Sequence, residues 1–145
     1  MIPDQLGPHF SIEEMTRTST GLANQPNDAQ GAELVRLVDT VLEPMRALVG
    51  PLHVDSGFRT LAVNNAIPGS AHNSQHMLGQ AADVVPMHYV LESAFQAVKA
   101  SNIPFDQLIV EPGWIHISVA ALGANPRRQT LRAHRHGKEF GYEPA

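Results

Sequence analysis

Two apolar segments separated by Pro112-Gly113 constrain the fold more than any other feature of the sequence (FDQLIVE and WIHISVA). Each segment has the length and composition of a β-strand, and a Pro-Gly connection is typical of a tight turn, so the two are predicted to form a hairpin. Alternate side chains of a strand point to opposite faces. Ile115 and Ile117 therefore share the face that is predicted to enter the core. Trp114 and His116 lie on the opposite, open face, where a histidine is available for chemistry.

Two further segments have strand character, LHVDSGF and QAADVV, which raises the predicted number of strands to about four. These strands do not alternate strictly with helices, so the expected fold class is α+β, with helices packed around a small, mainly antiparallel sheet. The chain has 145 residues, a length that suits one domain with its own core. A single domain over residues 1–145 is therefore predicted.

One long helix and three short ones are predicted around this sheet. Apolar residues recur at helical spacing from Ala29 to Val49, and a kink or break is expected at Pro44 because proline removes an internal hydrogen bond. The short helices are predicted to begin at Ser11, to run from Thr60 through Ile67, and to run from Tyr89 to Ser101. The polar segment from Thr16 to Asp28 is rich in turn-forming residues and is predicted to be a loop.

The composition limits both the chemistry and the location of the protein. The chain contains no cysteine, so any metal must be held by histidine or carboxylate side chains. No segment approaches the roughly 20 apolar residues that span a bilayer, so no membrane span is expected. The amino-terminal residues MIPDQLGPHF lack the basic and apolar regions of a secretory signal, and synthesis in the cytoplasm is expected.

The charges are unevenly distributed along the chain. Residues 125–145 carry five Lys or Arg side chains against two Glu, although the whole chain has a net charge of −4. This basic tail is expected to be solvated, with contact to an anionic cell envelope as an alternative. His134 and His136 in its RAHRH segment are expected to be solvated as well. No nucleic-acid partner is expected, because the tail lacks interleaved aromatic residues and any recognised motif.

Besides His116, two further candidate metal ligands, His76 and Asp83, lie in SQHMLGQAADVV, separated by a turn at Gly79. Together with His116 they supply two imidazoles and one carboxylate, and catalytic zinc sites commonly use three such ligands and a water. Other divalent ions are also compatible with this donor set. His72 precedes His76 by four residues, but the proline and glycines around it argue against a shared helix. A hydrogen-bonding role, a place at a substrate rim, or no role is expected for His72.

Residues 74–83 (SQHMLGQAAD) match every position of the pattern S-x-H-x-x-G-x-A-x-D of the zinc D-Ala-D-Ala carboxypeptidase family. Two further segments resemble this family in the right order, SGFRT at 56–60 and WIHIS at 114–118. The segments FSIEEM and VLEPMRALVGPLHVDSGFR are similar to the amino-terminal part of its carboxypeptidase-like branch. The resemblance covers about residues 9–120 and implies the hedgehog/DD-peptidase fold.

The resemblance also implies roles for single residues. One zinc ion would be bound by His76, Asp83 and His116. Arg59 would bind the substrate, either by pairing with a carboxylate or by stabilising the oxyanion that forms when the peptide carbonyl is attacked. Of the neighbouring residues, Ser74 is expected to shape the ligand loop and border the substrate. Trp114 is expected to form a wall of the cleft.

The general base departs from the family pattern. Many members carry an acidic residue three places before the last histidine, a position that Gly113 occupies here. The nearest acidic residue is Glu111, and a hairpin directly after it would fold it back towards His116. A carboxylate at this place can take a proton from water and pass it to a leaving amine. Glu111 is therefore predicted to be the general base, with Asp106 and Asp55 as alternatives.

The resemblance implies a peptidase of bacterial peptidoglycan, either a D,D-carboxypeptidase or an endopeptidase. The amide that is cut would lie next to D-alanine or between L-alanine and D-glutamate. Without an apparent secretion signal or wall-binding module, the chain is similar to single-domain phage endolysins, which reach the wall or periplasm once the membrane is breached. A monomer is expected. Because Glu111 does not lie at the position of the family's acidic residue, an alternative function remains. It is a non-catalytic zinc-containing module that binds the cell wall or forms part of a virion.

Overall fold

A six-stranded sheet and five short α-helices make up the fold, in a computed structural model that describes residues 1–145. The helices are α1 (Ile12–Thr16), α2 (Asp28–Leu37), α3 (Glu43–Val49), α4 (Leu61–Ala66) and α5 (Leu91–Ala100). The strands are β1 (Gln5–Gly7), β2 (Phe10–Ser11), β3 (Leu52–Ser56), β4 (Ala81–Pro86), β5 (Phe105–Val110), β6 (Ile115–Val119), β7 (Gln129–His136) and β8 (Glu139–Pro144).

The sheet is mainly antiparallel, which confirms the predicted α+β class. Its strand order is β3-β4-β6-β5-β7-β8, and β1 pairs with β2 in a separate ribbon. Every neighbouring pair in the sheet is antiparallel except β5 and β7. The predicted hairpin is formed by β5 and β6, and its turn is closed by the N–H of Glu111, which donates to the carbonyl of Trp114 (2.9 Å). Gly113 adopts a φ of 107° in this turn, a region that favours glycine.

The long predicted helix is broken next to Pro44, as expected. α2 ends at Leu37, a π-helical segment covers Val38–Leu42, and α3 begins at Glu43. The N–H of Glu43 donates to a carbonyl five residues back rather than four, and Pro44 has no N–H to continue the α-helical pattern. The apolar residues of the π-helical segment are fully buried, so the wide turn belongs to the core.

The short helices follow their predicted signals. Both halves of the capping box between Ser11 and Glu14 form at the start of α1, and the hydroxyl of Thr60 caps α4. The segment between α1 and α2 has no regular structure, as predicted, and Asn27 caps α2 with a capping box of its own. None of the helices is both long and apolar enough to cross a membrane.

The main core lies between one face of the sheet and helices α2, α3 and α5. It is formed by 24 buried apolar residues, and burial of this kind is the largest favourable contribution to folding. From the helices come Leu34, Leu37, Met45, Val49, Phe95 and Val98, and from the sheet come Val84, Leu108, Val110, Ile115 and Ile117. The residues that alternate with these along β4, β5 and β6 point to the other face of the sheet.

Residues 129–144 fold as a β-hairpin at the edge of the sheet, and most of them are exposed to solvent. β7 pairs with β5 in parallel, and β8 pairs with β7. Three basic side chains, one in the hairpin and two just before it, have partners in the rest of the domain. Arg127 pairs with Asp106 (2.8 Å), and Arg132 pairs with Glu92 (2.6 Å). Arg128 donates to backbone carbonyls at the end of α5 and the start of the following loop.

Candidate metal centre

Strand register places two of the predicted ligands side by side on the open face of the sheet. Asp83 in β4 pairs directly with His116 in β6, and His116 pairs on its other side with Ile109 in β5. Directly paired residues on antiparallel strands project from the same face. Their strand neighbours Val84 and Ile115 point into the core. The alternation of β4 and β6 therefore brings Asp83 and His116 together above the open face.

His76 reaches the same point from a short 3-10 helix, Gln75–Leu78, that precedes β4. The hydroxyl of Ser74 accepts the N–H of His76 (3.2 Å) and caps this helix. Gly79 ends the helix in the left-handed region with a φ of 75°. A Cβ at this position would come within 2.6 Å of a backbone carbonyl oxygen of α2. Glycine is therefore required here, and the turn it permits delivers His76 to Asp83.

The three side chains converge on one small volume. Nε2 of His76 lies 3.2 Å from Oδ1 of Asp83, and Nδ1 of His116 lies 3.0 Å from the same oxygen. The three potential ligand atoms all lie within 4.8 Å of one another. Burial would raise the pKa of Asp83, but the charges and hydrogen bonds of the two histidines outweigh it and hold that pKa well below its ordinary value. The carboxylate is therefore ionised at neutral pH.

The tautomer of His76 shows that this group suits a metal ion. Nδ1 of His76 lies 2.7 Å from the carbonyl oxygen of Gly57, which can only accept, so Nδ1 must carry the proton. In the neutral imidazole, Nε2 then presents its lone pair to Oδ1 of Asp83, which is also an acceptor. Two acceptors this close are stable only when a proton or a cation is bound with them. A tautomer held by a backbone carbonyl is typical of metal-binding histidines, and the donor set suits zinc.

Arg59 lies against the ligand carboxylate and borders the cleft. Its Nη2 donates to Oδ2 of Asp83 (3.1 Å), and its Nε donates to the hydroxyl of Ser56 (2.9 Å). The two side chains of the ion pair are only 11% and 12% exposed. Burial lowers the pKa of Arg59, and the charge of Asp83 opposes that change. A guanidinium remains protonated throughout, so Arg59 holds Oδ2 and leaves Oδ1 to face the imidazoles.

The backbone of Gly57 supports His76 only because the residue has no side chain. A Cβ at this position would come within 2.4 Å of the carbonyl oxygen of Met15, and the same oxygen accepts the N–H of Phe58 (2.7 Å). The ring of Phe58 is buried in the core, and Thr60 caps α4. The segment SGFRT therefore supports the candidate metal ligands His76 and Asp83 from behind.

Of the three acids considered for the general base, Glu111 is the one that lines the same cleft as the ligands. It follows β5 two residues after Ile109, on the face that carries His116, and it is 8% exposed. Burial raises the pKa of Glu111, while a hydrogen bond from Tyr142 and the charge of His116 oppose the increase. A carboxyl with a raised pKa is suited to accept and return a proton nearer to neutral pH.

The two alternative acids have other partners. Asp106 accepts hydrogen bonds from the guanidinium of Arg127 and from Nε2 of Gln75 (3.2 Å), and it does not line the cleft. Asp55 is exposed and lies 3.4 Å from His53. Asp106 therefore stabilises the residue that precedes His76, and Asp55 has no contact with the ligand group.

The ligand group opens into a cleft of about 530 Å³. Trp114 and Ser74 line it, and Leu131 and Tyr142 of the C-terminal hairpin line it as well. His72 is exposed on the loop beside the cleft and is not among the lining residues. The cleft is open to solvent and has charged groups at its base, so it can hold a short polar chain.

Two residues of the site had not been predicted from the sequence. The hydroxyl of Tyr142 donates to Oε1 of Glu111 (3.1 Å), and no local pattern in the tail indicates this contact. Asn64 is 1% exposed, its Oδ1 lies 3.4 Å from Nη1 of Arg59, and its Nδ2 donates to the carbonyl of Ala71 (2.7 Å). Asn64 follows the apolar Val63 in a short predicted helix. This position beside an apolar residue was the one sequence signal that could have identified Asn64.

A comparison with protein families identifies one match. The model of the family described as Peptidase M15 matches residues 8–118, which is more than half of the chain. The matched range contains the three potential ligands, Arg59 and Glu111, and it ends before the C-terminal hairpin. None of the curated proteins compared with the chain matches it.

Proposed function

Because the chain belongs to the peptidase M15 family, we propose that it is a zinc-dependent peptidase that hydrolyses an amide bond in the stem or cross-link peptides of bacterial peptidoglycan. The family match confirms the resemblance drawn from the sequence and supports a metallopeptidase. The identity of the metal, the substrate and the roles of the single residues are parts of the proposal.

One observation carries the proposal. The group formed by His76, Asp83 and His116 lies in the same cleft as Glu111, a carboxyl whose pKa is raised by burial. Hydrolysis of an amide requires both an activated water and a group that transfers its proton. The combination of a three-ligand site and a separate acid in one cleft supplies both.

In the proposed mechanism, Nε2 of His76, Oδ1 of Asp83 and Nδ1 of His116 would hold the metal. Zinc bound at such a site lowers the pKa of a coordinated water to about 7 and polarises a carbonyl. Glu111 takes a proton from the attacking water as the new C–O bond forms. It returns that proton to the leaving nitrogen as the C–N bond breaks. The products are a free amine and a carboxylic acid, which ionises at neutral pH by releasing the second proton of the water.

Arg59 and Trp114 are proposed to position the substrate. The guanidinium uses one N–H each on Asp83, Ser56 and Asn64, and Arg59 lines the cleft with two N–H groups left over. They are suited to a substrate carboxylate or to the developing oxyanion. Trp114 would form a wall for the peptide, and Ser74 would border it beside the ligand loop.

The place of action and the state of assembly are further parts of the proposal. A peptidase of this kind acts at the cell wall or in the periplasm, and we propose that it does so as a monomer, as an endolysin does after the membrane is breached. The bond would lie next to D-alanine, as for a D,D-carboxypeptidase, or between L-alanine and D-glutamate, as for an endopeptidase.

The test is digestion of purified peptidoglycan by the zinc-loaded protein. New amino groups should be released, a chelator should stop their release, and zinc should restore it. Mass analysis of the muropeptide fragments then identifies the bond that is cut. Glu111→Gln should lower kcat by about 10²–10⁴-fold while zinc stays bound, and Glu139→Gln, an exposed residue at the hairpin turn, is the matched control.

Full zinc occupancy without release of amino groups would contradict the proposed activity and favour a non-catalytic wall-binding or virion module. Activity in Glu111→Gln equal to that of Glu139→Gln would leave the peptidase in place but reject Glu111 as the base.

A further inference from the structure

Tyr142 links the C-terminal hairpin to the proposed catalytic group. Its hydroxyl donates to Oε1 of Glu111 (3.1 Å), and the ring lines the cleft together with Trp114, His116 and Asp83. Tyr142 lies outside residues 8–118, the range that matches the family. The contact is therefore supplied by a part of the chain that the family match does not cover.

Strand register explains how Tyr142 reaches Glu111 from two strands away. In the sheet, β7 lies between β5 and β8, with Val110 paired to Arg132 and Ala133 paired to Tyr142. Ala133 and Tyr142 are directly opposed, so both project from the face that carries the cleft. Because Ala133 has only a methyl group, the phenol ring is free to extend over β7 to the end of β5.

The hydrogen bond occupies one of the two oxygens of Glu111. The phenol can only donate to an ionised carboxylate, so Oε1 is held by Tyr142 and Oε2 is left for proton transfer. Burial and the charge of Glu111 raise the pKa of Tyr142 to about 12, and the phenol keeps its proton at neutral pH. The carboxylate is thus fixed in rotation by a donor that does not itself ionise.

We propose that Tyr142 is a positioning residue, which holds the carboxylate of Glu111 in the orientation needed for proton transfer, and that the C-terminal hairpin is the element that completes the catalytic cleft. This inference rests on the proposed function, since it concerns the base of that reaction. A carboxylate free to rotate would spend less time in a reactive geometry, and the loss would appear in the chemical step rather than in substrate binding.

The first experiment compares Tyr142→Phe with Tyr89→Phe on peptidoglycan. Tyr89 is the only other tyrosine of the chain, and it is exposed and outside the cleft. Tyr142→Phe should lower kcat roughly tenfold, equivalent to about 1.4 kcal/mol, with KM changed less than twofold. Tyr89→Phe should match the wild type. A rise in KM at unchanged kcat, or equal effects of the two substitutions, would overturn the positioning role.

A second experiment holds even if the protein proves inactive. Tyr142→Phe, Glu111→Leu and the double variant form a cycle in which thermal unfolding measures the coupling of the two side chains. Non-additive changes in Tm support the contact, and strictly additive changes overturn it. Absence of coupling with normal peptidase activity would thus reject the role of Tyr142 alone. Intact coupling without activity would reject the proposed function, and with it the catalytic role of a contact that itself remains.

Discussion

Single side chains decide the chemistry of the cleft, and they do so through contacts between residues distant in sequence. Asp83 gives one oxygen to the imidazoles and the other to Arg59. His76 is held in one tautomer by the carbonyl of Gly57. These contacts divide the site into atoms that are proposed to bind the metal and atoms that keep the candidate ligands in place.

Arg59→Met should weaken zinc binding as well as activity. It removes the partner of Oδ2 of Asp83, and loss of a group that orients a metal ligand typically costs about 10–100-fold in metal affinity. Competition with a chromophoric chelator measures the affinity. Arg17→Met, which affects only an exposed pair with Glu13 (3.7 Å), should have no effect. Unchanged zinc affinity with lost activity would show that Arg59 acts on the substrate alone.

Glu111→Gln should raise the Tm of the metal-free protein at neutral pH. The pKa of Glu111 is higher in the folded chain than in the unfolded chain, so stability falls as pH rises from the ordinary carboxyl pKa through the raised one, and the loss persists above it. The glutamine side chain does not ionise, so the variant does not lose stability over this pH range. Calorimetry should therefore show the gain at pH of about 7 and not at pH of about 3. An equal change at both values would contradict the assigned pKa shift.

Two short elements position the site, and each depends on a glycine. The 3-10 helix that carries His76 ends at Gly79, where the backbone is left-handed. The end of β3 approaches α1 so closely at Gly57 that no Cβ fits. Both glycines lie within segments that resemble the family in sequence. Backbone geometry, rather than a chemical role, requires glycine at both positions.

Gly57→Ala should destabilise the fold and weaken the metal site together. The added Cβ would press on the backbone carbonyl of Met15, and overpacking of this kind costs about 1–3 kcal/mol in the free energy of unfolding. Denaturant titration and zinc affinity are the two measurements. Gly141→Ala is the control, because its Cβ would meet only the movable ring of His134 at 3.3 Å. Equal stability of the two variants would contradict the steric argument.

At the scale of the whole molecule, the C-terminal hairpin borders the cleft that contains the candidate metal ligands. Arg127, just before the C-terminal hairpin, pairs with Asp106 of β5, and Arg132 of the hairpin pairs with Glu92 of α5. These two ion pairs help to attach the hairpin to the domain. This use of charge leaves Arg135 and Lys138 as the exposed basic residues of β7 and its turn without an ion pair. The hairpin therefore contributes side chains to the cleft, and the ion pairs that attach it are formed within the chain.

Zinc should stabilise the whole domain. A ligand that binds only the folded state at 100 times its Kd adds about 2.7 kcal/mol to the free energy of unfolding, equivalent to a rise in Tm of roughly 5–10 °C for a chain of this length. Thermal scans with zinc and with chelator measure the shift. Asp83→Asn should abolish it, and a shift of equal size in that variant would show that zinc binds elsewhere.

The sequence alone was sufficient for the features that depend on local patterns. Alternation in WIHISVA identified the face of His116, the Pro-Gly turn identified the hairpin, and Pro44 identified the break in the long helix. The spacing and types of His76 and Asp83 identified the candidate ligands, because a loop and a strand joined at a glycine can bring them together.

Only the tertiary structure decided the contacts that join distant segments. The pairing of β7 with β5 is parallel and non-local, and residues 129–136 bury too little apolar surface to show a strong strand pattern. The ion pair of Arg59 with Asp83 and the hydrogen bond of Tyr142 with Glu111 both depend on strand order and register. Local sequence carries the preferences of single elements, whereas strand order results from the free energy of the whole packed chain.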